Sequence, residues 1–186
     1  MDPVPRTTTG GGLAVRTATI EDLPAVERVD AAADRSATAD AVRAAVLDPQ
    51  RLVVVAEVDG AVVGWAKTHL FARPDGPAPA GHYLGGVTVH PAWRRRGLGA
   101  ALTEARLDWL GERTDRVHYV VNAANSASIA LHRRWGFQEV ARAPSFHRVP
   151  FAGGLGLLLT ARLPQRGRCD SMTSTIAGSS GTVLGE

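Results

Sequence analysis

The 186-residue chain contains a single cysteine, Cys169. One cysteine excludes an internal disulfide framework and points to a reducing compartment, and its polar surroundings make it a poor nucleophile. Lysine is equally scarce: Lys67 is the only one, so nearly all of the 21 basic residues are arginine. Long apolar runs are missing too. The stretch around Leu155 to Leu159 is interrupted by glycine and, like every other apolar run, falls far short of the roughly 20 residues that span a bilayer. No apolar run follows a basic start, so no secretory signal is read. The six histidines show no metal-ligand spacing, and no metal site is expected. Neither a full G-x-G-x-x-G nor a G-K-[ST] occurs, which removes the dinucleotide fingerprint and the Walker motif. The expectation is a cytoplasmic, soluble protein without metal or membrane span.

What remains is a composition suited to one packed domain. Apolar residues make up 45% of the chain, and the mean hydropathy is −0.04. The length supports one core rather than two. The net charge of +3 hides an asymmetry: Leu13 to His90 holds seven basic and ten acidic residues, Pro91 to Leu163 eleven basic and five acidic. The isoelectric point near 9.7 raises nucleic-acid binding. The basic excess is confined to one half, however, and no aromatic platform motif accompanies it, so no nucleic-acid partner is expected.

The positive charge concentrates in one stretch, Pro91-Ala92-Trp93-Arg94-Arg95-Arg96-Gly97-Leu98-Gly99-Ala100-Ala101-Leu102. A β-branched run, Val87-Thr88-Val89, precedes it, and an amphipathic helix pattern follows. A strand, a glycine-containing turn and a helix in that order aim free helix-terminal amides at one point, where the helix dipole favours an anion. Gly97 and Gly99 allow the backbone to approach a phosphate closely.

Around this turn the chain reads β-α-α-β-β-β-α-β-α-β-β. Leu13 to Arg16 alternates as a short strand. Thr19 is a candidate N-cap with Asp22 three residues on, before Ile20, Leu23, Val26 and Val29 at helical spacing. A second helix is expected from Thr38 to Leu47, burying Ala41, Val42, Ala45 and Val46. Leu52–Val58 and Ala61–Ala66 flank Asp59-Gly60, a strong hairpin signal. His82–Val89 is a strand carrying Gly85-Gly86, which argues for a bulge or a close backbone approach. Leu98, Leu102, Ala105 and Trp109 mark a helix ending near Arg113. Val117–Val121 is a strand, Ala127–Trp135 a helix capped by Asn125 or Ser126 and ended by Gly136, and Phe137–Val140 and Leu155–Leu163 are the last strands. Residues 1–12 and 164–186 lack periodicity and are expected to be disordered, leaving 13–163 as one α/β domain with a mixed central sheet flanked by helices.

Two motifs resemble the GNAT superfamily of N-acetyltransferases. Arg94-Arg95-Arg96-Gly97-Leu98-Gly99 is similar to its [QR]-x-x-G-x-[GA] turn. Asn125-Ser126-Ala127-Ser128-Ile129-Ala130-Leu131-His132-Arg133-Arg134-Trp135-Gly136-Phe137 is similar to its N-x-x-[AS]-x-x-L-[YH]-x-x-x-G-F segment. Within the superfamily, Tyr83 to Val89, the second motif and Phe146 look most like aminoglycoside 6′-type acetyltransferases. The acidic residues those enzymes use for a polycationic drug are not found at Val120-Val121-Asn122.

The resemblance implies a partly splayed sheet, acetyl-CoA as co-substrate and transfer of its acetyl group to a primary amine of a small molecule, peptide or protein. It places the pyrophosphate on the amides around Arg94, Arg95, Arg96, Gly97, Leu98, Gly99 and Ala100. It places the pantetheine arm and acetyl carbonyl along Val87, Thr88 and Val89, with Asn125 on the arm. His132 then lies near the sulfur, where an imidazole of ordinary pKa, about 6.5, would donate a proton to a departing thiolate of about 8.5. The glutamate that some relatives use as base is replaced here by Val120 or Tyr83, and no base is assigned. An aminoglycoside-type antibiotic acetyltransferase or a non-catalytic CoA-binding module is the alternative, and either a monomer or a homodimer is compatible.

Overall fold

Asp59 and Gly60 both adopt left-handed backbone angles, φ 51° and 80°, the geometry that matches a two-residue turn to strand twist. The hairpin they close lies within the sheet that dominates the computed structural model, which describes residues 7–9, 12–35 and 39–164. Among these residues the strands are β1 (Thr7–Thr9), β2 (Leu13–Thr17), β3 (Val53–Val58), β4 (Ala61–Phe71), β5 (Gly81–Val89), β6 (Arg116–Asn122), β7 (Gln138–Ala143), β8 (Ser145–Phe146), β9 (Val149–Pro150) and β10 (Gly156–Arg162). The helices are α1 (Leu23–Ala32), α2 (Ala39–Leu47), α3 (Leu98–Gly111) and α4 (Ser126–Arg133). Eight strands form one sheet in the order β1-β2-β3-β4-β5-β6-β10-β7, and β8 and β9 form a separate hairpin.

Both faces of the sheet are covered, which explains why Val53, Val54, Val55 and Ala56 are all buried despite lying on one strand. Val53, Val55 and Trp65 pack against Val26 and Val29 of α1 and Val42 and Ala45 of α2. Val54, Ala56 and Leu84 face Leu98, Leu102 and Leu110 of α3 on the other side. The entry to α1 is fixed as the Thr19/Asp22 spacing predicts: Asp22 Oδ2 accepts from the Thr19 amide at 2.8 Å. The same carboxylate takes both Arg16 Nη1 and Nη2, at 2.7 and 2.8 Å, tying β2 to the helix start.

Neighbouring strands pair antiparallel except β5 and β6, which run parallel and are registered only at Tyr83–His118 and Leu84–Tyr119. Beyond Leu84 the two strands diverge, so the mixed, splayed sheet expected from the sequence is present. Four details differ from expectation. Thr7–Thr9 pairs with Leu13–Val15, in a stretch expected to be disordered, because three β-branched threonines suit an edge strand. Ala41 is exposed; its single methyl adds little to the stripe already made by Val42 and Ala45. β4 continues to Phe71, and its extra residues line the site described below. The β8–β9 hairpin was not expected, since two-residue strands carry too short a pattern to read. The expected disordered segments 1–6 and 165–186 lie outside the described residues.

Candidate active site

The divergence of β5 from β6 starts at a bulge. Ala66 pairs with Val87 and Thr68 with Leu84, so Lys67 alone opposes both Gly85 and Gly86. A Cβ on Gly85 would stand 2.9 Å from the Lys67 carbonyl oxygen and equally close to the side chains of Lys67 and His69. Gly85 is therefore required by its own sheet, whereas a Cβ on Gly86 would meet nothing within 4 Å. The sequence expectation of a close approach holds, and the two glycines divide the roles.

The extra residue leaves carbonyl groups without ladder partners, and a buried arginine takes them. Arg106, with no solvent exposure, donates through Nη1 to Lys67 O and to Gly85 O, both at 3.0 Å. Its Nε donates to Leu102 O at 3.1 Å and its Nη2 to Thr103 Oγ1 at 3.1 Å. Burial lowers its pKa to about 9, still cationic at neutral pH. Sequence reasoning missed this residue because an arginine beside an apolar stripe ordinarily reads as solvated.

The opening between β5 and β6 is a cleft of about 320 Å³. The structure brings Val87, Asn125 and His132 together in its lining, with Gly86, Tyr119 and Ser128. Asn125 caps α4, its Oδ1 accepting from the Ser128 amide at 3.1 Å, which leaves its NH₂ for other partners. His132 is 1% exposed. Its Nδ1 lies 2.8 Å from Ser128 O; a carbonyl only accepts, so Nδ1 carries the hydrogen and Nε2 presents a lone pair. That Nε2 is buried without a partner among the described residues. Burial, the largest influence, brings its pKa down to about 4. At neutral pH the ring is therefore neutral and its Nε2 holds no proton to donate, unlike the imidazolium of the sequence expectation. The ring stacks on Tyr119 at 3.9 Å, and the Tyr119 and Ser128 hydroxyls are hydrogen-bonded.

Thr88, Val89 and the arginine turn lie outside the cleft lining. Thr88 is buried opposite Trp65, and because the His90 amide donates to Val63 O strand alternation turns the Thr88 amide to β4 as well, leaving those of Val87 and Val89 for the opening. The turn nonetheless adjoins the site, because an ideal Cβ on Gly99 would stand 3.6 Å from Leu131 of α4, the neighbour of His132. Gly97 caps α3 at φ 82°, and Arg95 is also left-handed at φ 64°. Gly97 O accepts from the Ala100 and Ala101 amides at 2.9 and 3.0 Å, so the amides before them lead the helix without intrahelical acceptors. Arg94, Arg95 and Arg96 are exposed and enter no ion pair among the described residues; Arg96 rests over Trp93 at 4.7 Å. A helix N-terminus with exposed cations and an open left-handed glycine fits a phosphate group.

Beyond the bulge the cleft is walled by His69, Phe71, Tyr83, Phe146, His147 and Phe151, of which the sequence reading had singled out only Tyr83 and Phe146. Arg51 Nη2 donates to His69 Nδ1 at 3.1 Å, and burial with the nearby Lys67 and Arg51 lowers that imidazole to about 4. Among the described residues no group of three or more His, Cys, Asp or Glu is placed to hold a metal ion, and no helix is long and apolar enough to cross a membrane.

Residues 17–137 match the sequence pattern of the acetyltransferase (GNAT) family. A mycothiol acetyltransferase of Clavibacter sepedonicus is 38% identical over 105 residues, 55% of this chain and 32% of that protein. An N-alpha-acetyltransferase of Sulfurisphaera tokodaii is 35% identical over 95 residues, 46% of this chain and 56% of that protein. The chain thus spans well under two thirds of either relative's length. A Salmonella typhimurium protein solved with its cofactor acetyl-CoA has the same fold, with a TM-score of 0.66 and 24% identity over 86% of this chain and 99% of that one.

Proposed function

Because the chain belongs to the acetyltransferase (GNAT) family, we propose that it transfers the acetyl group of acetyl-CoA to the amine of a small molecule or peptide. The observation that carries this reading is the parting of β5 from β6 after Leu84–Tyr119, which opens a cleft beside the left-handed Gly97 turn. In this reading residues 13–163 are the catalytic domain. A cytoplasmic monomer or homodimer is in keeping with it. The two curated relatives, named for mycothiol and for N-alpha acetylation, leave a small molecule and a peptide both open as acceptor.

Bound acetyl-CoA would supply the acetyl group as a thioester. The amides from Arg95 to Ala100 would hold its pyrophosphate, with Arg94, Arg95 and Arg96 adding attraction from the solvent side. β5 keeps β4 as a partner but has lost β6, so the Val87 and Val89 amides, which alternate away from β4, would face the opening and polarise the acetyl carbonyl. The Asn125 amide would contact the pantetheine arm. An alkylamine has a pKa of about 10.4 in water and must be neutral to attack. The His132 Nε2 lone pair accepts the proton released as the new C–N bond forms, and the imidazolium so made returns it to the sulfur as the C–S bond breaks. The ring thus serves first as acceptor, because its resting state is neutral. Such proton transfer is worth roughly 10²–10⁴-fold.

Calorimetric titration with acetyl-CoA, paired with a thermal melt, tests the reading. A native-state ligand at about 100 times its Kd adds roughly 2.7 kcal/mol of stability, so the melting temperature must rise. No heat and no shift at saturating acetyl-CoA would overturn it.

A further inference from the structure

The cleft runs past the reacting end, where Gly86, Val87, Asn125 and His132 stand, to a second end closed by the β8–β9 hairpin. There the His147 ring stacks flat on Phe71 with centroids 3.7 Å apart. Tyr83 meets both rings edge-on, at 5.1 Å from Phe71 and 5.0 Å from His147. The Tyr83 hydroxyl donates to Pro79 O at 2.6 Å, which turns its polar tip into the β4–β5 connection and leaves the ring as wall. Phe146 and Phe151 pack beside each other at 6.0 Å. This wall is held at a local cost: His147 and Arg148, the two hairpin-tip residues, are both left-handed, at φ 46° and 63°. Each such residue costs roughly 1–2 kcal/mol, and strain of this kind collects where a side chain must be presented to a ligand.

The charges around this wall are one-sided. Among the described residues, none lining the cleft is Asp or Glu, and Arg35 is the one arginine or lysine. The carboxylate of Asp75, close to the hairpin, accepts from the Arg148 amide at 3.3 Å and does not line the cleft. An amine entering this end finds aromatic and imidazole rings and, among the described residues, no lining carboxylate as counter-ion. Its own ammonium is then destabilised relative to the free base, which helps the nitrogen that must attack. A second ammonium on the same molecule gains nothing there and is stripped of water, in a cleft whose one arginine or lysine among the described lining residues is Arg35. Ring faces return roughly 0.5–2 kcal/mol to a cation, less than the several kcal/mol that desolvating it costs.

We propose that the aromatic end under the β8–β9 hairpin is the acceptor subsite and takes a monoamine with an aromatic or branched apolar body, discriminating against amines with a second positive charge. This rests on the acetyl-transfer reading above and names the acceptor class for it.

The experiment measures thiol release by the full chain with acetyl-CoA and 2-phenylethylamine, 3-methylbutylamine or 1,4-diaminobutane. The two monoamines should exceed the diamine in kcat/KM by about 10-fold or more, within the roughly 10–200-fold that pockets achieve. Val149, 49% exposed on the hairpin and lining the cleft, tolerates a polar replacement. Val149→Asp should narrow the preference by about 10-fold, and Arg35→Glu, at an exposed position, should shift it the same way. A diamine preferred by the unaltered chain, or an unmoved preference in both variants with normal melting curves, overturns the acceptor assignment alone. Binding of acetyl-CoA without thiol release to any amine overturns the transferase reading and this assignment with it.

Discussion

The Arg106 guanidinium lies 3.0 Å from the Gly85 carbonyl oxygen and satisfies the backbone that the bulge orphans. A side chain reaching from α3 thereby holds β5 in the conformation that parts it from β6. Arg106→Met keeps the volume but leaves the Lys67 and Gly85 carbonyls unpaired in a buried setting. Unpaired buried groups cost roughly 1–3 kcal/mol each, so the variant should lose about 3 kcal/mol in denaturant unfolding. Acetyl-CoA affinity should fall with it, since the carbonyls it releases belong to the bulge. A stability loss under about 1 kcal/mol would show that water replaces the guanidinium.

Gly85 and Gly86 offer a paired comparison. Gly85→Ala drives a methyl to 2.9 Å from the Lys67 carbonyl oxygen, where backbone must move, and overpacking of this kind costs roughly 1–3 kcal/mol. Gly86→Ala places its methyl in open space and should leave the melting temperature nearly unchanged. Its methyl enters the cleft, however, and should weaken acetyl-CoA binding seen by calorimetry. Equal stabilities for the two variants would remove the distinction.

The order of strands and helices was legible because the local signals agreed with the packing: Asp59-Gly60 at a hairpin, Thr19 with Asp22 at a helix start, Gly136 at a helix end. Gly85-Gly86 announced a bulge, though not which residue was needed by the sheet and which faced the cleft, since that depends on the opposing Lys67. The His132 position was legible, but its proton was not. Its pKa is set by burial against Tyr119 and by the Ser128 carbonyl, neither of which spacing reveals. His69, Phe71 and His147 come together from β4 and a two-residue hairpin tip 76 residues further on (147 − 71). No local pattern joins positions that far apart.

The arginine turn separates backbone from charge. Arg95→Gly removes a left-handed non-glycine residue and should raise stability by about 1 kcal/mol. One exposed charge is lost, so acetyl-CoA affinity should fall by no more than about 5-fold, about 1 kcal/mol for an exposed interaction. Gly97→Ala forces φ 82° on an alanine and should reduce both stability and affinity by larger factors. If affinity instead tracks arginine number, with Gly97→Ala harmless, charge rather than backbone holds the phosphates.

His132 makes the protein acid-sensitive in a defined window. Burial holds the folded ring at about 4, whereas an unfolded histidine titrates near 6.5. Above about pH 6.5 neither state is protonated and the full stability is present. As the pH falls from about 6.5 toward 4, the unfolded chain takes up a proton that the folded chain refuses, so stability is lost across that window. At about 1.36 kcal/mol for each pH unit, His132 alone accounts for roughly 2 kcal/mol between pH 7.5 and pH 5. Urea unfolding at those two pH values should show that loss, and His132→Phe, which keeps a ring against Tyr119, should reduce it by the same amount. The rate offers an independent check. With the resting ring neutral from about pH 5 upward, kcat/KM should carry no acidic limb from His132 near 6.5. A limb at that value that disappears in His132→Phe would mean that the folded imidazole titrates normally and acts first as a proton donor.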